Sequence, residues 1–260
     1  MTEMCKRPFL GLYVDQDRHE LEHRWGSIDA FGQMLRSWGC DRVILMMDHT
    51  DGRKRWEAPE VLRLRSELRP ITVDVTLWGR DQPEDLWGMI RDIRFLETLD
   101  PLQQINLGID AEGYAWRHMD AKDSEALAWT MSQASYTRLT TYYSGVHVET
   151  TEAAARQVDT VEIQAYSKIT KPGRGWGEKE GPGNFQRRAL ARLRKDYPNQ
   201  RHGIAFPLSG QNYPGHGVLA AMREAAEGAM GADEYTGWSS KHMRPGCDEL
   251  TALVAIWGRS

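Results

Sequence analysis

Alternation is the feature that most constrains this chain. Short runs rich in β-branched and aromatic residues fall at 9–15 (FLGLYVD), 42–48 (RVILMMD), 71–78 (ITVDVTLW), 104–112, 138–144, 160–166, 202–208 and 233–238. Between them lie stretches with helical spacing at 27–38, 57–68, 82–98, 122–135, 150–157, 184–196, 216–230 and 247–257. Asp81 followed by Glu84 gives a capping-box start, and Gly39 stands where the first of these helices should stop. Strand and helix taking turns predict a parallel sheet, and eight such units predict its closure into an α/β (β/α)8 TIM barrel. The length of 260 residues suits one barrel, so residues 1–260 are read as a single domain.

The strands carry a second pattern. In 71–78, Ile71, Val73, Val75 and Leu77 share one face, while Thr72, Asp74, Thr76 and Trp78 share the other. In 159–166, Val161, Ile163 and Ala165 oppose Thr160, Glu162, Gln164 and Tyr166. A strand covered on both faces is ordinarily apolar throughout, so these polar faces stand out. The aliphatic face must meet the helices, which turns the polar face into the barrel. Asp74, Glu162 and Gln164 form either a satisfied interior network or part of a site.

The stretch QINLGIDAEGYAW, residues 104–116, sharpens the choice. Leu107, Ile109 and Ala111 oppose Asn106, Gly108, Asp110 and Glu112, so two carboxylates close the fourth strand on one face. Barrel enzymes place their chemistry at that end. With Cα atoms about 6.5 to 7 Å apart, one carboxylate raises the proton affinity of the other and a general acid becomes available near neutral pH. The alternative reading is a solvated acidic loop.

Several functions are excluded or left without support. The formal charge of −4 is mixed along the chain with no basic stripe, which speaks against nucleic acid as a partner. Cys5, Cys40 and Cys247 fit neither a zinc pattern nor a disulfide framework and read as reduced thiols. The start, MTEMCKRPFLGLYVD, has no apolar stretch of signal-peptide length, and no segment approaches about 18 apolar residues, so a soluble chain, cytoplasmic as synthesised and without membrane contact, is expected. There is no Gly-x-Ser-x-Gly. His49 and His118 could meet at a metal, but lone histidines near loops are seldom ligands, so neither metal nor cofactor is expected. Nothing in the sequence sets the oligomeric state.

Asp110-x-Glu112 on the fourth strand, Asp15 ending the first, and the eight-unit order together resemble glycoside hydrolase family 25, the lysozymes of bacteria and phages that cut peptidoglycan. Family 18 chitinases are also similar, through Asp-x-Asp-x-Glu on the fourth strand and a Tyr on the sixth. Here Gly108 stands in place of the first Asp, while Gln164 and Tyr166 in IQAYS match the later pattern. The resemblance implies that Glu112 protonates the leaving oxygen and that Asp110 stabilises the cation or orients an N-acetyl group. It also implies that Asp15 lines the mouth and that Tyr166 hydrogen-bonds the acetamido oxygen. No separate nucleophile is evident, which suits assistance by the substrate's own acetamido group. Asp48 is a further candidate, or equally a loop partner for Arg53.

Among ten tryptophans, Trp78, Trp116 and Trp238 fall at or just after strand ends, where flat rings could stack on sugars; Trp25, Trp38, Trp87, Trp129 and Trp257 are expected in helix cores. Tyr142 and Tyr143 point to opposite faces, so at most one reaches the cleft. The irregular stretch 167–183, SKITKPGRGWGEKEGPG, carries Trp176 and reads either as a lid over the glycan or as a plain surface insertion. Two functions follow from the sequence: a glycosidase cleaving an N-acetylated cell-wall polysaccharide, of the kind a phage or prophage endolysin performs, or a glycan-binding barrel without turnover.

Overall fold

The computed structural model describes residues 7–47, 55–77, 106–111, 119–132, 136–143, 149–165, 181–208 and 217–258. Eight strands, β1 (Phe9–Val14), β2 (Arg42–Met46), β3 (Thr72–Leu77), β4 (Leu107–Asp110), β5 (Thr137–Tyr142), β6 (Thr160–Gln164), β7 (Arg201–Pro207) and β8 (Glu234–Trp238), follow one another around a closed barrel. Every neighbouring pair is parallel, and β8 returns to β1 with Phe9 opposite Glu234 and Leu12 opposite Gly237. Each strand lies within one to three residues of a run picked out by alternation.

Among the described residues the helices are α1 (Arg18–Trp25), α2 (Ile28–Ser37), α3 (Ala58–Glu67), α4 (Ala121–Ser132), α5 (Glu149–Ala155), α6 (Gly181–Asp196), α7 (Val218–Gly228) and α8 (Asp248–Trp257). The aliphatic strand faces meet them as expected. Leu10, Leu12, Val14, Val73, Val75, Leu107, Ile109, Val161 and Ile163 join Phe31, Leu35, Leu64, Phe185, Leu193 and Leu253 in one buried cluster. Each such side chain contributes about 1.5 to 3 kcal/mol on leaving water, so this shell is the main stabilising layer. Gly39, with φ of +76°, turns the chain after α2 at the expected stop.

Four details differ from the sequence reading. The first is α1, which the apolar pattern misses because only Leu21 and Trp25 are buried in it. It is held instead by its ends. Asp17 and Glu20 form a reciprocal capping box at 2.8 and 2.9 Å, and Arg18 grips Glu67 of α3 at 2.9 and 3.1 Å. The second is the stretch 167–183, whose last three residues already belong to α6, with Pro182 in the first turn where its missing N–H costs nothing. The third is Trp129, which is 58% exposed: α4 buries Ser124, Leu127 and Ala128, and residue 129 falls off that stripe. The fourth is the region 82–98 with its Asp81–Glu84 start, which lies outside the described residues.

The inward strand faces give the barrel a polar interior. Among the described residues, Tyr13, Ile44 and Ala205, packed by Trp238, make an apolar cluster there. The rest of the lining includes Arg42, Asp74, Thr76, Asp110, Arg138, Thr140, Thr160, Glu162, Gln164, Glu234 and Thr236, all buried. Room for one of these comes from a glycine: a Cβ on Gly203 of β7 would stand 2.9 Å from the Cβ of Glu162. No helix among the described residues is long and apolar enough to cross a membrane.

Candidate active site

The lower interior, at the N-terminal ends of the strands, is a closed ion network. Arg42 of β2 donates to Asp74 of β3 at 3.1 Å and to Glu234 of β8 at 2.5 Å. Arg138 of β5 stands 3.6 Å from Asp74 and 3.4 Å from Glu234. Asn106 donates to Asp74 at 2.8 Å, and Glu234 also accepts from Tyr136 and from Thr160. Phe9 closes the floor with its ring 4.7 Å beneath the Arg42 guanidinium. Burial alone would raise the Glu234 carboxyl, but Arg42, Arg138 and the Tyr136 hydroxyl hold it down at about 2. Burial pushes the Tyr136 phenol above its usual range, and the neighbouring Glu234 adds to this. Asp74 thus takes the interior-network alternative of the sequence reading.

One layer up, the arrangement changes. Tyr13 of β1 donates to Glu162 of β6 at 2.6 Å, and its hydroxyl lies 2.7 Å from that of Thr140 of β5, which stands 3.1 Å from the same Glu162 oxygen. Burial and then the Glu162 charge push the Tyr13 phenol well above its ordinary range, so it stays a donor at any working pH. Its ring meets Trp238 at 5.0 Å, tilted by 58°.

The top of the interior holds Asp110, which is 1% exposed. Thr140 is its register partner on β5 and in turn partners Glu162 on β6, so Asp110 and Glu162 flank one threonine. Gln164, at the end of β6, reaches back across β5 and donates its amide to both Asp110 oxygens at 3.3 and 3.4 Å. The contact matters because β4 and β6 are not neighbours: Asp110 and Gln164 meet only because both point inward. A buried carboxylate that accepts from an amide can hold or pass a proton and can steady a cation.

Asp15, just past β1, has its carboxylate 2.8 Å from the Lys241 ammonium and also accepts from the Lys241 backbone N–H at 3.4 Å. Lys241 belongs to the segment after β8, which Arg24 of α1 pins by donating to the carbonyls of Lys241 and Met243 at 2.8 and 3.0 Å. The same rim is tied by Gln16, whose side chain accepts from Ser240 at 3.0 Å and whose carbonyl accepts from Trp56 at 2.9 Å. Trp238 is half-buried at the end of β8. Glu112, Tyr166, Asp48, Trp78 and Trp176 lie outside the described residues, as do Trp116, His49 and His118. Tyr142 takes the inward register opposite Gln164, whereas Tyr143 packs on Phe185 outside the barrel. Sequence reasoning left out Tyr13, Thr140 and Gln16. For Tyr13 the signal was present, since the alternation that turned Asp74 inward also puts Gly11, Tyr13 and Asp15 on one face of FLGLYVD. Among the described residues no group of three or more His, Cys, Asp or Glu could hold a metal ion.

No family model matches the sequence, and no curated protein sequence matches it. Solved structures do resemble the fold. The spore cortex-lytic enzyme SleL of Bacillus cereus superposes with a TM-score of 0.63 at 11% identity, over 98% of this chain and 76% of that one. A GH18 chitinase from Pseudoalteromonas aurantia gives 0.62 at 12% identity, over 95% of this chain and 99% of that one. β-Glucuronidase 2 of Bacteroides uniformis gives 0.60 at 11% identity over 90% of this chain, which spans 30% of the length of that enzyme. These likenesses show a shared barrel. A family 18 enzyme stands among them, and none of the three is named as a family 25 lysozyme.

Proposed function

We propose that the chain is a glycoside hydrolase acting on an N-acetylated cell-wall polysaccharide such as peptidoglycan. The observation that carries this reading is Asp110, buried at the C-terminal end of β4 and hydrogen-bonded by Gln164 from β6, with Glu112 two residues further along the chain. That the same barrel serves a spore cortex-lytic enzyme and a chitinase supports it. In this reading Glu112 is the general acid, Asp110 steadies the developing oxocarbenium ion or aligns the acetamido group, and Tyr166 donates to that group. Gln164 fixes the Asp110 carboxylate. Trp238, Trp78 and Trp176 offer ring faces to sugars, and Asp15 and Asp48 line the rim.

Clearing of a cell-wall suspension and release of reducing ends from chito-oligosaccharides test it together. Glu112→Gln keeps shape and hydrogen bonding without the transferable proton, so turnover should fall by roughly 10² to 10⁴-fold while glycan binding persists. Full activity in a folded Glu112→Gln variant would place the acid elsewhere. Binding without any cleavage by the wild type would favour a glycan-binding barrel.

A further inference from the structure

The formal charge of −4 conceals one strongly basic face. Residues 187–195 of α6 read RRALARLRK, a run of cations with no carboxylate among them. Arg187, Ala191, Arg194 and Lys195 are exposed and Arg188 and Arg192 half-buried, while Phe185, Gln186, Ala189, Leu190 and Leu193 are buried. At helical spacing the cations share one outward arc of about 160°. Helix stability does not ask for this. Arg194 and Lys195 suit the last turn, where the helix dipole favours cations, but Arg187 and Arg188 stand in the middle, and Arg188 faces Arg192 four residues on, where like charges weaken a helix. Neighbours do not neutralise the charge either. Arg187 donates to Asn184 at 2.7 Å and Arg194 to the Gly231 carbonyl at 2.8 Å, and among the described residues neither these two nor Lys195 meets a carboxylate. The flanking acids already have partners: Asp196 stands 3.5 Å from Arg192, and Glu224 of α7 accepts from the Gly183 backbone N–H at 3.3 Å.

The basic face reaches the mouth. Tyr143, one residue past β5, packs on Phe185 with 5.5 Å between ring centroids, and the Arg188 and Arg192 guanidiniums stand 4.9 and 4.6 Å from the centre of the tyrosine ring. Arg192 also donates to the Tyr143 carbonyl at 3.3 Å. Its neighbour Tyr142 takes the inward register. The two tyrosines therefore stand on either side of the β5 rim, one toward the interior and the other joined to the basic face.

We propose that the outer face of α6 is a docking surface for an acidic polysaccharide, whose strand leaves the mouth over Tyr143 and sets its carboxylates against Arg187, Arg194 and Lys195. That the strand is a glycan rests on the function proposed above; that it is acidic rests on α6. Spacing favours such a polymer. Arg187 and Arg194 lie seven residues apart, about 10.5 Å along the helix axis, which is comparable with one disaccharide unit and so with a carboxylate on every disaccharide. Duplex DNA carries a charge about every 1.7 Å of its axis, and a face matched to it would be far denser in cations.

Hyaluronan, an N-acetylated polysaccharide with one carboxylate per disaccharide, and neutral chito-hexaose are the probes, and binding to the full chain is measured. In Arg187→Gln/Arg194→Gln/Lys195→Gln, hyaluronan binding should weaken by roughly 10-fold at low salt, as for the loss of three exposed ion pairs, and the difference should close in about 1 M salt. Chito-hexaose binding should stay as in the wild type. A matched variant, Arg36→Gln/Arg69→Gln/Lys122→Gln, removes three exposed cations elsewhere on the surface and should bind hyaluronan like the wild type. Equal losses in the two variants would reduce the effect to net charge, and binding untouched by the α6 substitutions would leave that face merely solvated; either overturns the proposal. So does a wild type that ignores hyaluronan, or that prefers duplex DNA or anionic lipid vesicles through the same residues. A wild type that neither binds nor cleaves chito-hexaose removes the glycosidase reading, whereas a loss of hyaluronan binding confined to the α6 variant still supports the acidic-polymer face.

Discussion

The barrel interior has two halves built from the same residue types and tied together differently. Below, two arginines meet two carboxylates, and tyrosine, threonine and asparagine satisfy further oxygens. Above, Glu162 lies against two hydroxyls and Asp110 accepts from the Gln164 amide. A buried charge costs several kcal/mol unless it is paired, so the lower half is arranged as a rigid plug. The same division separates stability from chemistry in barrels generally, with the N-terminal face serving the fold and the C-terminal face the reaction.

The largest effect should come from breaking the plug. Arg138→Met or Arg42→Met leaves Asp74 and Glu234 with one buried guanidinium and the half-exposed Arg201, and should cost about 3 to 5 kcal/mol in urea denaturation. A loss below about 1 kcal/mol would mean that the lower half is not the compensated one. Next comes acid. Glu234 is held at about 2 against an ordinary value of 4.5, so its contribution is fully present above about pH 4.5 and is lost as pH falls through about 2. The shift corresponds to about 3 kcal/mol. Since protonated Glu234 resembles Gln, the stability gap between wild type and Glu234→Gln should narrow from pH 6 to pH 2.5. A constant gap would remove the charge from the account.

How much of this was legible in the sequence depends on whether a feature is local. Eight strands and the inward turn of Asp74, Thr76, Glu162 and Gln164 follow from a period of two, which each strand carries alone. The pairing of Arg42 with Glu234 does not, because β2 and β8 flank β1 only once the barrel has closed, and register decides which residues share a layer. The Asp110–Gln164 contact was hidden for the same reason: both residues were candidates, yet their meeting spans β5. The helix α1 escaped because its stability lies in a capping box and the Arg18–Glu67 pair, while its apolar stripe is reduced to two residues. Exposed Trp129 shows the reverse error, since a large apolar side chain in a helix says nothing about which face it occupies.

The upper half should answer differently from the plug. Asp110→Asn keeps size and can still hydrogen-bond Gln164, so its stability should stay within about 1 kcal/mol of wild type. Turnover on a cleavable glycan should nevertheless fall by roughly 10²-fold, since the lost charge is most useful when the sugar becomes cationic. A large loss of stability with intact turnover would invert the comparison and make Asp110 part of the plug.

The smallest effect is expected at the rim, and it shows where the upper half ends. Asp15 and Lys241 approach to 2.8 Å, closer than Arg138 comes to either of its carboxylates, yet the lysine is half exposed. Distance alone would rank the rim pair above the plug; burial reverses that order, because water screens the attraction and an ordered lysine loses rotamer freedom. Lys241→Met should therefore change stability by about 0 to 1 kcal/mol, and any residue of that effect should fade in 1 M salt, where the screening length is about 3 Å. The backbone N–H of Lys241 still reaches Asp15 in this variant, and Arg24 still holds the segment by its carbonyls, so the rim should keep its shape. A salt-insensitive cost above about 2 kcal/mol would show that the rim pair behaves like the buried pairs of the plug.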